Sequence, residues 1–310
     1  MTKTVLITGA TGFLGAHIVR SYSNSNYKII CTRRNQSDLW RCADIPNISW
    51  INIEQDNWKA KVVDEQPDII IHSAWEGVIS DSRDNWKGQV NNLGFLFDLL
   101  LIAKEICCKK FIGIGSQAEY GLLEERVNEQ VEAKPHTAYG LAKFLAMQST
   151  KTFCNIHSIN WYWIRVFSVF GEYDNNNWLI PSLIKKLLNN QNMDLTGGEQ
   201  KYDYVYARDL AKMILLLSQS AADNGIYNLS SNSSISLKSL ILEIREIICS
   251  KSVLNFGAVP YRAGQSMLME GDCHKYFQQV TNFEYSPLNT GLQKTIDFYK
   301  ELIKQANESI

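Results

Sequence analysis

Through the first half of the chain, hydrophobic positions fall into two alternating rhythms. Short unbroken apolar, β-branched runs occur at Thr4–Thr8 (TVLIT), Lys28–Thr32 (KIICT), Ile69–His72 and Phe111–Gly115. Helix-length segments separate them at Phe13–Tyr22, Trp58–Glu65, Gln89–Cys107 and Tyr139–Cys154. Strands that are apolar throughout are those buried on both faces, and helices between them imply parallel pairing through right-handed crossovers. The pattern predicts an α/β fold, a Rossmann-type doubly wound parallel sheet. Further strands fit Asn160–Phe167 and Tyr204–Tyr206, the second leading into a helix at Asp209–Ser218.

The second half changes character. Turn-forming clusters at Asp174–Asn177 (DNNN), Asn189–Asn192 and Ser230–Ser234 (SSNSS) interrupt the strand–helix alternation. They predict a cofactor-binding domain from residues 1–168 plus 204–228. A smaller mixed α/β domain for substrate would use 169–203 plus 229–310. Two helical stretches, Leu93–Ala103 and Leu141–Met147, are apolar on more sides than one sheet face can bury. The extra surface predicts a homodimer through the 89–107 and 139–154 helices, with burial under the second domain as the alternative.

Composition narrows the classes. Lys and Arg number 31 against 32 Asp and Glu, a net charge of −1, which argues against a broad nucleic-acid face. The most apolar run is interrupted by Asp98 and falls short of the roughly 20 residues a membrane span needs. MTKTVLITG lacks a leader's apolar stretch. The seven cysteines include no C-x-x-C spacing, so metal ligation is not expected. The expectation is a cytoplasmic protein with reduced thiols, no membrane partner and no nucleic-acid partner.

Candidate chemistry begins right after the first strand. Gly9, Gly12 and Gly15 in TGATGFLG open a helix, and glycines there permit a tight turn and backbone approach to a pyrophosphate. Thr11, Phe13 and Leu14 belong to the same loop. The second strand ends in Thr32-Arg33-Arg34, where a carboxylate would serve the adenosine ribose. Two guanidiniums suit a 2′-phosphate instead, which favours NADP(H), with NAD(H) possible. The alternative is that both arginines are solvated loop charges. Asn52 and Ile53, after the third strand, fall where adenine contacts belong.

Tyr139 and Lys143 form Y-x-x-x-K, which puts both on one helix face. A phenol with a pKa of about 10 is a poor base at neutral pH, and a neighbouring ammonium favours its ionised form. Ser116, at the end of the strand Phe111–Gly115, can hydrogen-bond the same substrate oxygen at the carboxyl edge of the sheet.

With these landmarks the chain resembles the extended short-chain dehydrogenase/reductases of the nucleotide-sugar epimerase/dehydratase family. Further matches are IIIHSAW (Ile69–Trp75), Asn91 before Gly94, GSQAEYG (Gly115–Gly121), RVFSVFG (Arg165–Gly171), GGEQKYDYVYARDLA (Gly197–Ala211) and YRAGQ (Tyr261–Gln265). The resemblance implies that Tyr139 is the acid/base, that Lys143 holds the nicotinamide ribose and lowers the Tyr139 pKa, and that Ser116 polarises a sugar carbonyl. It places His72, Ser73, Ala74, Asn91 and Val166 along the cofactor, and Trp75, Gln117, Ser168 and Arg262 toward a nucleotide-diphosphate sugar. Glu76 and Gly77 are expected to face the sugar with Trp75, and Trp178 and Pro181 to lie near the base.

Departures from the family pattern sharpen the reaction. Where the 4,6-dehydratases carry an Asp-Glu pair, this chain has Gln117 and Ala118, neither able to shuttle a proton. Where the family usually has a diphosphate-binding arginine, this chain has Tyr202; Arg262 is the better candidate, and Lys201 a possible substitute. The reading is an NADPH-dependent reductase of the 4-keto group of a nucleotide-linked 4-keto-6-deoxyhexose, serving an unusual surface-polysaccharide sugar. The alternatives are a nucleotide-sugar 4-epimerase with bound, recycled NAD(P), a reductase of small carbonyls, and a cofactor-sensing regulator.

Overall fold

The computed structural model describes residues 2–79, 82–262 and 264–308. Its first part runs β1 (Lys3–Thr8), α1 (Phe13–Ser23), β2 (Tyr27–Arg33), β3 (Ile48–Asn52), α2 (Trp58–Asp64), β4 (Ile69–His72), α3 (Trp86–Glu105), β5 (Lys110–Ser116), α4 (Ala138–Ile156) and β6 (Asn160–Val166). Then follow β7 (Ser168–Phe170), α5 (Leu179–Leu188), β8 (Met193–Leu195), β9 (Lys201–Tyr206), α6 (Ala207–Gln219) and β10 (Gly225–Leu229). The chain ends with β11 (Ser234–Ser236), α7 (Leu237–Ile248), β12 (Leu254–Phe256), β13 (Leu268–Met269), α8 (His274–Gln279) and α9 (Leu288–Glu308).

Seven strands form one sheet in the order β3-β2-β1-β4-β5-β6-β10, and every pairing in it is parallel. The period-2 geometry of a strand explains the unbroken apolar runs. Val5 and Ile7 pack with Ile18, Val19, Leu210 and Ile214 on one face. Leu6, Ile30 and Ile70 pack with Val62, Leu96, Leu100 and Met147 on the other. Strand order reverses between β1 and β4, so the crevice beyond their carboxyl ends is where a ligand binds in such a sheet.

The strand expected at Tyr204–Tyr206 forms as part of β9, but not in this sheet. It pairs with β7, β11 and β13 in a separate four-stranded sheet, and the edge position is taken by β10. The sequence KYDYVY is unevenly buried along its length, as befits a strand with a partly open face. β10 carries the buried Tyr227, Asn228 and Leu229. Near the C-terminus, Tyr276, Val280 and Phe283 join the α1/α6 face of the large sheet, while α5, α7 and α9 share a core of their own.

Among the described residues, nothing covers the outer stripes of α3 and α4. Val90, Phe97 and Leu101 are 56%, 44% and 56% exposed, and Leu145 and Ile156 on α4 are exposed too. Among the described residues, no helix is long and apolar enough to cross a membrane.

Candidate active site

The phosphate loop joins β1 to α1, and its three glycines answer to different constraints. Gly9 has φ +71°, and a Cβ there would come within 2.6 Å of the Ala74 nitrogen. A Cβ on Gly15 would come within 2.0 Å of the Gly9 carbonyl. Both are bare so that strand, loop and helix can close together. A Cβ on Gly12 would meet only the Gly9 carbonyl, at 3.2 Å, so its open side is left for approach from outside. Gly12 caps α1 without any side-chain acceptor on the helix's first N–H groups. A glycine-capped helix end with free donors fits the pyrophosphate of a dinucleotide. Thr11 is held from behind, its carbonyl accepting from Arg41 (3.2 Å), and Phe13 packs edge-on against His17. Leu14 is half-buried against the α1/α6 core.

At the adenosine end, β2 delivers Arg33 and Arg34. The Arg33 carbonyl accepts from Ile53 N–H at 2.9 Å, which fixes Ile53 beside it. The Arg34 guanidinium is ion-paired with Glu76, which ties the end of β2 to the loop after β4. Asn52 hydrogen-bonds Asn35, whose own N–H donates to the Glu54 carboxylate.

Beyond β4 the expected cofactor lining divides. Ser73 and Ala74 lie half-buried at the crevice, and Ala74 N–H donates to Thr8 Oγ1 (3.2 Å). His72 is instead enclosed: its Nδ1 bonds Thr8 (3.0 Å) and its ring packs on Phe95 and Trp75. Burial, helped by Lys143, lowers its pKa to about 3, so it stands neutral behind the crevice wall. Asn91 is exposed on α3, and the neighbouring Asn92 faces inward, bonding both the N–H and the carbonyl of Glu76. Asn92 shares the buried helix face with Gln89, Leu96 and Leu99, which a one-residue step leaves by about 100°.

The catalytic candidates converge on the ends of β5 and α4. Thr137 caps α4 by accepting from Gly140, Asp84 accepts from Ala138 N–H (3.1 Å), and the Arg83 carbonyl accepts from Tyr139 N–H (2.9 Å). Tyr139, Lys143 and Ser116 are all buried. Ser116 Oγ accepts from Ala118 N–H (3.2 Å). Val166 stands opposite Ser116 in the β5–β6 register. Lys143 Nζ donates to the Ile114 carbonyl (2.6 Å) and sits 3.8 Å from the centre of the Trp75 ring. Trp75 in turn donates to Gln89 (2.9 Å), so it reaches the site as the floor under the ammonium.

Burial raises the Tyr139 pKa above that of an ordinary phenol; the Arg83 guanidinium and the Ser116 hydrogen bond pull it back. The cation that lowers it is Arg83, 5.1 Å from the ring centre, while Lys143 Nζ lies 6.0 Å from the same centre. Burial also brings Lys143 down to about 7, opposed by Glu119. Arg83 lies in no motif, and Glu119, although inside GSQAEYG, is given no role by pattern reading.

At the substrate end, Gln117 lies half-buried on the turn after Ser116, and Ser168 donates to Met269 Sδ (3.4 Å). Tyr202 donates to the Ser266 carbonyl (2.6 Å) and accepts from Gln265 (3.0 Å), tying down the loop that carries the exposed Arg262. Lys201 is exposed beside the half-buried Tyr202, as successive strand residues diverge, so it does not stand in for position 202. Trp178 caps α5 and is 38% exposed, while Pro181 is buried within that helix.

A doubly wound sheet with a glycine-capped phosphate loop at its switch point and a Ser–Tyr–Lys cluster at the carboxyl end of β5 defines a nicotinamide-dinucleotide-binding enzyme fold. The chain belongs to the NAD dependent epimerase/dehydratase family, whose model matches residues 5–230. It is 28% identical over 223 residues to a putative UDP-glucose 4-epimerase of Methanocaldococcus jannaschii, covering 68% of this chain and 72% of the relative. It is 27% identical over 270 residues to CDP-abequose synthase of Salmonella muenchen, covering 86% and 88%. The structure of UDP-glucose 4-epimerase from Thermotoga maritima superposes with a TM-score of 0.88 over 97% of this chain and 99% of that one, at 20% identity. The chain is thus a nucleotide-sugar-modifying enzyme.

Proposed function

We propose that this enzyme reduces the 4-keto group of a nucleotide-linked 4-keto-6-deoxyhexose with NADPH, in the making of a surface-polysaccharide sugar. The observation that carries this reading is the composition of the turn after Ser116. Gln117 and Ala118 offer no carboxyl group, and the one carboxylate there, Glu119, is engaged by Ser116 N–H, Trp163 and Arg165. No acid–base pair is left to remove water from the sugar, so redox chemistry at a carbonyl is what the cluster supports. Kinship with CDP-abequose synthase supports a nucleotide-linked deoxysugar as substrate.

The nicotinamide cofactor supplies the hydride when bound. The Ser116 hydroxyl donates a hydrogen bond to the sugar carbonyl oxygen, and the Tyr139 phenol transfers the one proton to that oxygen as it becomes a hydroxyl. Lys143 keeps a positive charge beside the phenol and reaches the nicotinamide ribose. The free N–H groups of α1 hold the pyrophosphate, and Arg262 meets the diphosphate of the sugar nucleotide. Arg33 and Arg34 meet a 2′-phosphate, Arg34 by exchanging Glu76 for it. A homodimer formed through α3 and α4 would bury Val90, Phe97, Leu101, Leu145 and Ile156.

The Arg34–Glu76 pair favours a second reading, a 4-epimerase with tightly bound and recycled NAD(P), because it occupies one of the two arginines. A panel of nucleotide-4-keto-6-deoxyhexoses decides between the two. Loss of NADPH absorbance with one of them, and an NMR-identified 4-hydroxy product, is expected. No loss with any keto-sugar, together with C4 inversion of a nucleotide sugar, would replace the reductase by the epimerase.

A further inference from the structure

Directly beneath the reacting groups lies a charge pair that the chemistry above does not use. Glu119 has no exposed surface and Arg165 is 2% exposed. Every contact is of ordinary length. Glu119 Oε1 accepts from Ser116 N–H (2.9 Å) and from Trp163 Nε1 (2.8 Å), and Oε2 accepts from Arg165 Nε (2.9 Å). The Arg165 guanidinium also lies 4.2 Å from the centre of the Tyr120 ring. β5 is shaped to admit this arrangement, since a Cβ on Gly115 would come within 2.4 Å of Glu119 Oε1 and 2.2 Å of Trp163 Nε1.

The pair acts on the site in two ways. The first is geometric. Ser116 and Glu119 form a reciprocal capping box: the carboxylate holds the Ser116 backbone N–H, and Ser116 Oγ accepts from Ala118 N–H. With its oxygen occupied as an acceptor from the chain, the Ser116 hydroxyl is left to donate outward. The second is electrostatic. The charged and titratable groups around Lys143 and Tyr139 are His72 from β4, Arg83 from the loop before α3, Glu119 and Tyr120 after β5, and Arg165 from β6. Asp84, exposed in the loop beside Arg83, accepts from Ala138 N–H; His72 is neutral, and Glu119 is the buried anion among them.

We propose that Glu119, locked onto Arg165, is a positioning residue that aims the Ser116 hydroxyl and supplies the buried negative charge that keeps Lys143 protonated. Burial alone discharges Lys143, and Glu119 works against it. Glu119 also holds the Tyr139 phenol protonated, adding to the effect of burial. Both influences favour the protonated forms that a proton-delivering site requires. Burial opposes the charge on Arg165 as well, but Glu119 and Tyr120 overcome it, so the guanidinium stays charged.

This inference rests on the proposed reductase chemistry for its kinetic readout, and a second readout needs no substrate. Glu119→Gln alone leaves Arg165 facing an amide N–H and is expected to destabilise the chain, as breaking one side of a buried pair does. Glu119→Gln/Arg165→Met removes both charges and keeps the volume approximately filled, so it isolates the charge from the fold. In that double variant the titration midpoint of Lys143, followed by NMR of ¹³Cε-labelled lysine and assigned with Lys143→Met, is expected to fall by about one pH unit. The alkaline limb of the kcat profile is expected to move with it, kcat to drop about tenfold, and the KM for NADPH to hold. A folded double variant whose Lys143 midpoint and kcat profile match those of the wild type overturns the proposal. If the wild type turns over no keto-sugar, the reductase reading falls, and the Lys143 midpoint still decides the role of Glu119.

Discussion

Ser116, Tyr139 and Lys143 are surrounded by enclosed partners, whereas Arg34 and Arg262 stand exposed on loops. At the first location each polar group is held from at least one further residue: Ser116 by Glu119, Tyr139 by Arg83, Lys143 by Ile114 and Trp75. At the second, Arg34 meets a single carboxylate in solvent and Arg262 rides on a loop anchored through Tyr202. Proton transfer tolerates little misplacement, and desolvation strengthens each charge. Anion recognition by exposed arginines can be retuned one residue at a time, because surface ion pairs contribute little to the fold. The difference predicts that substitutions at the buried cluster change kcat and those at the arginines change KM.

The largest effect is expected at Tyr139. Tyr139→Phe keeps the ring among its neighbours and removes only the phenolic proton, so kcat should fall about 10²–10⁴-fold. The dissociation constant for NADPH, measured by fluorescence quenching, should stay within about twofold of the wild type, since the loss is confined to the reacting oxygen. Substantial residual turnover would remove Tyr139 from the acid/base role.

Next comes Arg262→Ala, expected to raise the KM for the nucleotide sugar by about tenfold with kcat little changed, the signature of a contact made equally in ground and transition states. An equal fall in kcat would mean that Arg262 also orients the sugar. Tyr202→Phe should give a weaker version of the same phenotype, because it frees the loop at the Ser266 carbonyl and leaves the arginine in place.

Smaller still is the expected effect at the adenosine end. Arg34→Ala should weaken binding of 2′,5′-ADP, read by calorimetry, by several-fold and leave 5′-ADP unaffected. Glu76→Gln should strengthen 2′,5′-ADP modestly by releasing the guanidinium. Equal affinities for the two nucleotides across wild type and both variants would break the argument for NADP(H).

How far these features were legible depends on sequence distance. β1, β2, β4 and β5 could be read because each is apolar on both faces, and the phosphate loop because its glycines are contiguous with a strand and a helix. β9 was assigned to the wrong sheet because a short strand does not announce its partners. Which of Asn91 and Asn92 faces inward depends on helix phase, which a motif match does not carry, and one residue turns a side chain from the buried face to solvent. Glu76 and Glu119 were missed as partners for a different reason. They meet arginines 42 and 46 residues away, through contacts that only the folded sheet brings together.

The smallest effect concerns stability, and it has the opposite sign to every loss of function above. Lys143 is fully enclosed and its pKa is lowered from 10.5 to about 7, chiefly by burial. Between those values the unfolded chain binds more protons at this position than the folded one. The group's contribution to stability therefore rises with pH from about 7 to about 10.5 and is unfavourable and constant below that window. Lys143→Met fills the same volume over Trp75 without a charge to desolvate, so it should raise the melting temperature. Each kcal/mol recovered corresponds to about 2–4 °C in a domain of somewhat smaller size. The gain should be largest near pH 6–7 and shrink toward pH 10, as the wild-type lysine sheds its proton. A gain independent of pH would trace to packing alone. A loss would show that the Ile114 carbonyl and the Trp75 ring hold the ammonium more strongly than burial penalises it.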